Sequence, residues 1–290
     1  MNQGLKKMLD KIVKCLYSVF LIVYFLLKNL LVTKACCFNK SSKVHLVLTT
    51  YNARLGSVYL TIETLLSQSN LYSSITLWLS KEDIDKYGTL PKTLLRQQKR
   101  GLVIKVVNEN IKSYKKLFYE YKERADDSGA LLITVDDDVF YPRNFVDKLL
   151  RKHDITKQIV CFRAKVMKIS IDSDTHLLCD VTYEKWPLAD STTNPDDVFP
   201  TGVGGVLYPI SSLKGLDTQK DKFLELCPNA DDVWFKFLTK SNGYRSYLVS
   251  DFSIHPLPII QKSMKGLELQ NVNSGQNNIQ IVNAIKYFGV

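Results

Sequence analysis

The chain has 290 residues, 45% apolar and 23% charged, enough to bury one sizeable core and too ordered in balance for a disordered protein. Its net charge of +10 would suit nucleic acid were it spread over the chain. It is concentrated instead: residues 1–43 carry eight lysines against the single acid Asp10, so +7 of the +10 lies there. A basic excess flanking an apolar segment points to anionic lipid head groups and away from a nucleic-acid partner.

The apolar segment runs from Ile12 to Val32, and its uninterrupted part, Cys15–Leu27, is shorter than the ~20 residues a bilayer span needs. Lys14 and Lys28 bracket it. A single span with snorkelling lysines, a helix lying in the head-group region and a cleaved leader are the membrane readings, ranked above a plain N-terminal helix packed on the domain. The leader is the weakest, because Lys34-Ala35-Cys36-Cys37-Phe38 lacks a small-x-small cleavage site. The interfacial helix is favoured, with the protein on the cytoplasmic face of an inner membrane. A basic N-terminus before a true span would send the rest of the chain across the membrane. Residues 1–40 are thus expected to be a membrane-associating helix with basic flanks, and 41–290 a single globular domain.

Six cysteines (15, 36, 37, 161, 179 and 227) show neither CxxC pairs nor metal-ligand spacing, which argues against a zinc site or disulfide framework and for a reducing compartment. Cys36-Cys37 reads as an acylation site or, more commonly, as adjacent buried thiols.

Beyond residue 43, β-branched runs at 44–50, 75–79, 102–107 and 131–135 predict buried strands. Between them lie helical patterns at Leu55–Gln68, at Lys92–Lys99 after Pro91, and at Tyr114, Leu117, Phe118 and Tyr121. Strand alternating with helix predicts an α/β fold with a mostly parallel central sheet flanked by helices. Ligands bind such sheets at the carboxyl ends of the strands.

The fourth of these strands leads directly into Asp136-Asp137-Asp138-Val139-Phe140-Tyr141-Pro142, with Pro142 in place to open a helix over Arg143–Lys152. Three adjacent carboxylates repel and are costly to bury, so they call for a cation or full solvation. Mg²⁺ or Mn²⁺ would supply that and also bind the phosphates of a nucleotide. A plain acidic helix cap is the rival reading. Phe199–Pro209 holds three glycines, Gly202, Gly204 and Gly205, either for close backbone approach to a ligand or for a tight turn before an edge strand. Asp231-Asp232 opens a helix running to Ser241, as caps or as a general base. Trp186 is a candidate to stack on a sugar, though Trp is also ordinary core material, and His255 is a candidate metal ligand.

Taken together, Thr49–Arg54, Ser113–Leu117, the Asp triplet with Tyr141-Pro142, the Gly202–Pro209 loop and Ala230–Phe235 resemble bacterial glycosyltransferases of the GT-A (Rossmann-like) fold, close to the family 2 type of surface-polysaccharide gene sets. The likeness covers roughly residues 44–250. It implies a metal-dependent, inverting transfer of a sugar from a nucleotide-diphosphate donor, a UDP-sugar foremost, to a glycan or lipid-linked acceptor at a membrane surface. By that resemblance Asp138 and Asp136 bind the metal, with Asp136 nearer the donor ribose and Asp137 sharing either task. Thr50, Tyr51, Arg54 and Lys115, with Lys116 as the alternative, approach the donor. Asp232, ahead of Asp231, is the base. The amide-rich tail 270–278 resembles a segment that closes over the site. A nucleotidyltransferase and a silent glycan-binding module are the rivals; no Walker-type loop supports phosphoryl transfer.

Overall fold

The structure is a computed structural model that describes residues 3–36, 38–68, 72–171, 178–180, 182–260 and 276–289. Cys37 and residues 270–275 of the amide-rich stretch lie outside the described residues. In chain order the helices are α1 (Gln3–Leu31), α2 (Val58–Leu65), α3 (Lys81–Tyr87), α4 (Lys92–Lys99), α5 (Lys115–Arg124), α6 (Phe145–Thr156), α7 (Lys220–Leu226), α8 (Asp231–Ser241) and α9 (Gln276–Phe288). The strands begin with β1 (Val44–Thr49), β2 (Ser74–Ser80), β3 (Leu102–Val107), β4 (Leu131–Thr134), β5 (Val139–Phe140) and β6 (Ile159–Cys161). They continue with β7 (Ala164–Val166), β8 (Ser170–Ile171), β9 (Leu178–Asp180), β10 (Val198–Pro200), β11 (Val206–Pro209), β12 (Ser246–Leu248) and β13 (Leu257–Pro258).

Seven strands form one sheet in the order β12-β6-β11-β4-β1-β2-β3. All run parallel except β11, which is antiparallel to both its neighbours. The four strands expected from the β-branched runs are therefore present, to within a residue at their ends. The glycine loop leads into β11 in the middle of the sheet, not at an edge. Side chains alternate across the strands as a doubly covered sheet requires. Leu46, Leu48, Ile133 and Leu207 join a core with α2, α4 and α6, while Leu132, Val206 and Tyr208 join a second core with α5, α7, α8 and α9.

Two helices differ from their expected bounds, and one was not expected, for local reasons. The 55–68 pattern contracts to Val58–Leu65, because a 3₁₀ turn at Asn52–Arg54 and a further turn precede it. The helix after Pro142 starts at Phe145, after a turn in which the Phe145 amide bonds the Pro142 carbonyl at 3.0 Å. The short α3 has no apolar stripe to betray it; it is started by the Ser80 side chain, which accepts from the Asp83 amide.

The apolar N-terminal segment is the 29-residue α1, roughly 43 Å long at 1.5 Å per residue. Only its second half is docked. Ser18, Phe25 and Asn29 are buried at helical spacing, whereas the side chains described from Gly4 to Tyr17 are all exposed. Glu63 Oε1 accepts from Asn29 Nδ2 at 3.1 Å, Gln97 Nε2 at 2.9 Å and Arg100 Nη1 at 2.6 Å, all four residues being buried. Phe25 stacks on Phe140 of β5 at 5.8 Å, and Ser18 Oγ donates to the Pro258 carbonyl of β13 at 3.1 Å. Among the described residues no helix is long and apolar enough to cross a membrane. Cys15, Cys36, Cys161 and Cys227 are free thiols.

Candidate active site

A cavity of about 820 Å³ opens where the carboxyl ends of β1, β4 and β6 meet the loop before β11 and the start of α8. The acidic triplet is at its centre. Where β4 ends, the Val135 amide still bonds the Val47 carbonyl, and the Asp136 amide donates to Tyr141 Oη at 2.9 Å. Tyr141 Oη in turn donates to the Val203 carbonyl at 3.3 Å, so this tyrosine fixes the triplet against the glycine loop.

The turn after β4 sends the three carboxylates different ways. Asp137 points inward: Thr50 Oγ1 donates to its Oδ2, and Arg54 Nη1 donates to its Oδ1 at 2.8 Å. Its side chain is 8% exposed, against 31% for Asp136 and 30% for Asp138. Asp137 thus fastens the turn to the end of β1, and the outer pair is left facing the cavity. Arg54 also contacts Asp138 Oδ2 at 2.8 Å. Even so, burial first, then repulsion from Asp136 and Asp137, pushes the Asp138 carboxyl up to about 6.

Lys116, in the first turn of α5, reaches Asp136 Oδ1 at 3.0 Å and Asp231 Oδ2 at 3.4 Å. Burial opposes its charge, but Asp136, Asp231 and Asp232 outweigh burial and hold the ammonium well above its ordinary range. Lys115 takes another direction: its Nζ donates to Asp83 Oδ2 at 2.9 Å and Asn110 Oδ1 at 2.7 Å, at the far end of the same cavity. Neighbouring residues on one turn thereby serve both halves of the cavity.

The Asp231-Asp232 pair begins α8, where the helix dipole favours negative charge. Asp232 Oδ2 accepts from the Gly202 amide at 2.9 Å. A Cβ on Gly202 would sit 3.0 Å from Asp232 Oδ1 and 3.5 Å from Asp136 Oδ1, so the absent side chain lets the two acidic groups share one space. Burial, then Asp231, raises the Asp232 carboxyl well above the usual carboxylate range, with Lys116 and the Gly202 amide opposing.

Thr50, Tyr51, Arg54, Lys115, Asp136, Asp137, Asp138, Asp231, Asp232 and His255 all line this cavity. Gly204, Gly205 and Trp186 do not. A Cβ at Gly204 would meet Arg163 at 2.7 Å, and one at Gly205, where φ is +84°, would meet the Phe145 ring at 2.4 Å. These two glycines serve close packing inside the protein, not approach to a ligand. Trp186 is 5% exposed, donates Nε1 to the Lys168 carbonyl at 2.9 Å and packs edge-on against Phe199. It packs in the core and does not line this cavity.

The outer carboxylates suit a divalent ion in the donor set they offer: two hard oxygen groups about a third exposed, beside Asp231 Oδ2, which is buried without a hydrogen bond. No cluster of three or more His, Cys, Asp or Glu gathers as a cage among the described residues. The three-ligand set of Asp136, Asp138 and His255 is therefore not assembled by the protein alone. His255 Nδ1 bonds the Pro256 carbonyl at 3.0 Å; that carbonyl only accepts, so Nδ1 carries a proton. Two carboxylates completed by substrate phosphates is an ordinary arrangement for Mg²⁺.

Several lining residues had no signal in the sequence. Asp83 sits in the short α3, and Arg163 and Lys165 come just after the short strand β6, outside any motif read from the sequence. Arg163 Nη1 donates to Thr201 Oγ1 at 2.8 Å, which ties β7 to the glycine loop.

No protein-family model matches the chain, and no curated protein matches it. Solved structures do. A mannosyltransferase from Pyrobaculum calidifontis, in complex with GDP-Man and Mn²⁺, is 12% identical with a TM-score of 0.50 over 96% of this chain and 80% of that one. The fold is GT-A-like. Weaker likenesses are to a 4-diphosphocytidyl-2C-methyl-D-erythritol synthase from Anaerococcus prevotii (TM-score 0.47, 14% identity, 81% of this chain and 96% of that one) and to residues 1–349 of TarS from S. aureus with UDP (0.44, 14%, 72% and 58%). At such identities the likeness is one of fold.

Proposed function

We propose that the chain is a glycosyltransferase that moves a sugar from a nucleoside-diphosphate donor to a hydroxyl of a glycan or lipid-linked acceptor, in surface-polysaccharide synthesis. The observation that carries this reading is the meeting of two acidic groups in one cavity: the outward pair Asp136 and Asp138, and Asp232 across Gly202. Displacement at a sugar carbon needs both, one to hold the leaving diphosphate and one to take a proton.

In this reading Thr50, Tyr51, Arg54 and Lys115 bind the nucleotide end, the side of the cavity where β1, α3 and α5 converge. Asp136 and Asp138 would hold Mn²⁺ or Mg²⁺, which when bound neutralises charge on the departing phosphate. Lys116 keeps Asp136 and Asp231 in place and lends positive charge on the same side. Asp232, whose carboxyl is raised toward neutrality, accepts the proton of the acceptor hydroxyl. The acceptor oxygen bonds to the anomeric carbon while the carbon–phosphate oxygen bond breaks, and the electron pair leaves with the nucleoside diphosphate. A single displacement of this kind inverts the anomeric carbon.

The reading extends to a membrane surface on the cytoplasmic side, with residues 1–40 as the anchor and 41–290 as the catalytic domain. The exposed apolar first half of α1 and the +7 charge of residues 1–43 support it. A panel of nucleotide sugars with Mn²⁺ and a membrane extract as acceptor tests the proposal. Release of a nucleoside diphosphate with sugar incorporation is expected. Release of pyrophosphate would establish the nucleotidyltransferase instead, and a folded protein that binds no nucleotide would be a silent binding module.

A further inference from the structure

The segment 252–260, a strand only at Leu257–Pro258, lies partly in the cavity wall and partly in solvent. His255 and Pro258 line the cavity. Phe252, Ile254 and Ile260 are exposed by 73%, 39% and 47%, while Ile259 between the last two is buried in the core shared with Phe25 of α1. Phe252, Ile254 and Ile260 thus give the segment a group of exposed apolar side chains, interrupted by the buried Pro256 and the cavity-lining Pro258. Leu188, 55% exposed, lies nearby through the bridge of its backbone with Lys165, itself a cavity residue; Phe252 bridges to Asp190. Large apolar side chains grouped at the rim of a polar cavity are not accounted for by the chemistry inside it.

The segment adjoins α1. Ser18 bonds the Pro258 carbonyl and Phe25 stacks on Phe140, the residue paired with Leu257. The buried cluster around Glu63 fixes α1 to the domain, so helix and segment keep one orientation. From Leu5 to Val23 the free surface of α1 is apolar, with Lys6, Lys11 and Lys14 against Asp10 alone as its charged positions with described side chains.

We infer that the 252–260 segment is a second membrane-contact element, which with α1 seats the cavity mouth on an anionic lipid bilayer, so that the acceptor is presented from the membrane and not from bulk solution. The occupant is lipid because these exposed apolar side chains adjoin a lysine-bearing amphipathic helix, the combination that partitions into the head-group layer, with Asp190 and Asp251 beside Phe252 as the local acids. The presentation of an acceptor rests on the transferase reading of the cavity; the lipid contact does not.

The full chain carrying Phe252→Trp tests this with vesicles of phosphatidylcholine and phosphatidylglycerol containing brominated acyl chains. The native indoles Trp78, Trp186 and Trp234 are buried, so quenching relative to wild type reports position 252. The expected result is vesicle binding that needs the anionic lipid, with the added fluorescence blue-shifted and quenched. Phe252→Ser with Ile254→Ser should weaken vesicle partitioning on the order of tenfold. Binding of the vesicles with the added fluorescence unquenched would overturn the inference, since the mouth would then face away from the lipid. Failure to bind vesicles, with the protein sedimenting as a self-associated species, would overturn it too and assign the segment to a second copy. Nucleotide titration on the same preparation separates the two failures: quenching without nucleotide binding keeps the lipid contact and removes the transferase.

Discussion

Two clusters of charge in this molecule are built from the same groups and do opposite things. Under α1, the carboxylate of Glu63 is matched by Arg100, and Asn29 and Gln97 complete the cluster, all closed off from water. At the centre of the cavity, five carboxylates, Asp136, Asp137, Asp138, Asp231 and Asp232, are contacted by two cations among the described residues, Arg54 and Lys116, while Lys115 is taken up by Asp83. The first is balanced and enclosed, which suits a joint. The second has surplus negative charge and stays open to ligand, and its carboxyl groups are raised where the first shows a tight pair. Charge imbalance in an accessible place, more than the presence of acids, separates a working site from a structural one.

The largest effect should come from removing the proposed base. Asp232→Asn keeps the Gly202 amide contact in shape and should lower kcat by about 10²–10⁴ with donor affinity little changed. Equal loss of donor binding would recast Asp232 as a positioning residue. Breaking the other cluster should spare the chemistry and strike stability: Glu63→Ala leaves Arg100 buried without its partner and should cost about 3–5 kcal/mol in urea unfolding. A smaller loss, about 1–3 kcal/mol, is expected for Gly205→Ala, which presses on Phe145 and holds a left-handed backbone.

The smallest effect is a pH dependence. Asp138 and Asp232 have raised carboxyl pKa values in the folded chain, so folding favours their protonated forms. Their contribution to stability is full below the unfolded value near 4 and is lost as pH rises through the folded value, about 6 for Asp138. Metal-free protein should therefore gain stability from this pair on acidification from pH 7 toward 5. Asp138→Asn should flatten that slope in thermal unfolding, and an unchanged slope would count against the charge surplus.

The two clusters were not equally legible in the sequence. Asp136–Asp138 and Asp231-Asp232 stand out because adjacent acids at strand and helix ends are costly without a purpose, and strand periodicity located those ends. Glu63, Arg100 and Asn29 gave no signal, since Glu63 and Asn29 are polar residues in apolar helices, Arg100 is one more polar residue at the end of the polar α4, and only tertiary packing unites them. The same holds for Arg163 and Lys165, brought to the cavity by the antiparallel β11 and the strands around it. Lys115 and Lys116 illustrate a finer limit: helical phase does not distinguish neighbours, and only side-chain direction shows that one faces Asp83 and the other Asp136. The glycine loop was legible as a place of close approach, but of its three glycines Gly202 alone borders the cavity, the other two yielding space to Arg163 and Phe145.

The most direct test of the central claim is calorimetric titration of nucleoside diphosphates into the full chain, with and without Mn²⁺, for wild type and Asp138→Ala. The account predicts Mn²⁺-dependent binding of one nucleotide, weakened at least about tenfold by the substitution, or 1.4 kcal/mol. Binding that ignores both the metal and Asp138, or no binding by folded protein, would contradict it.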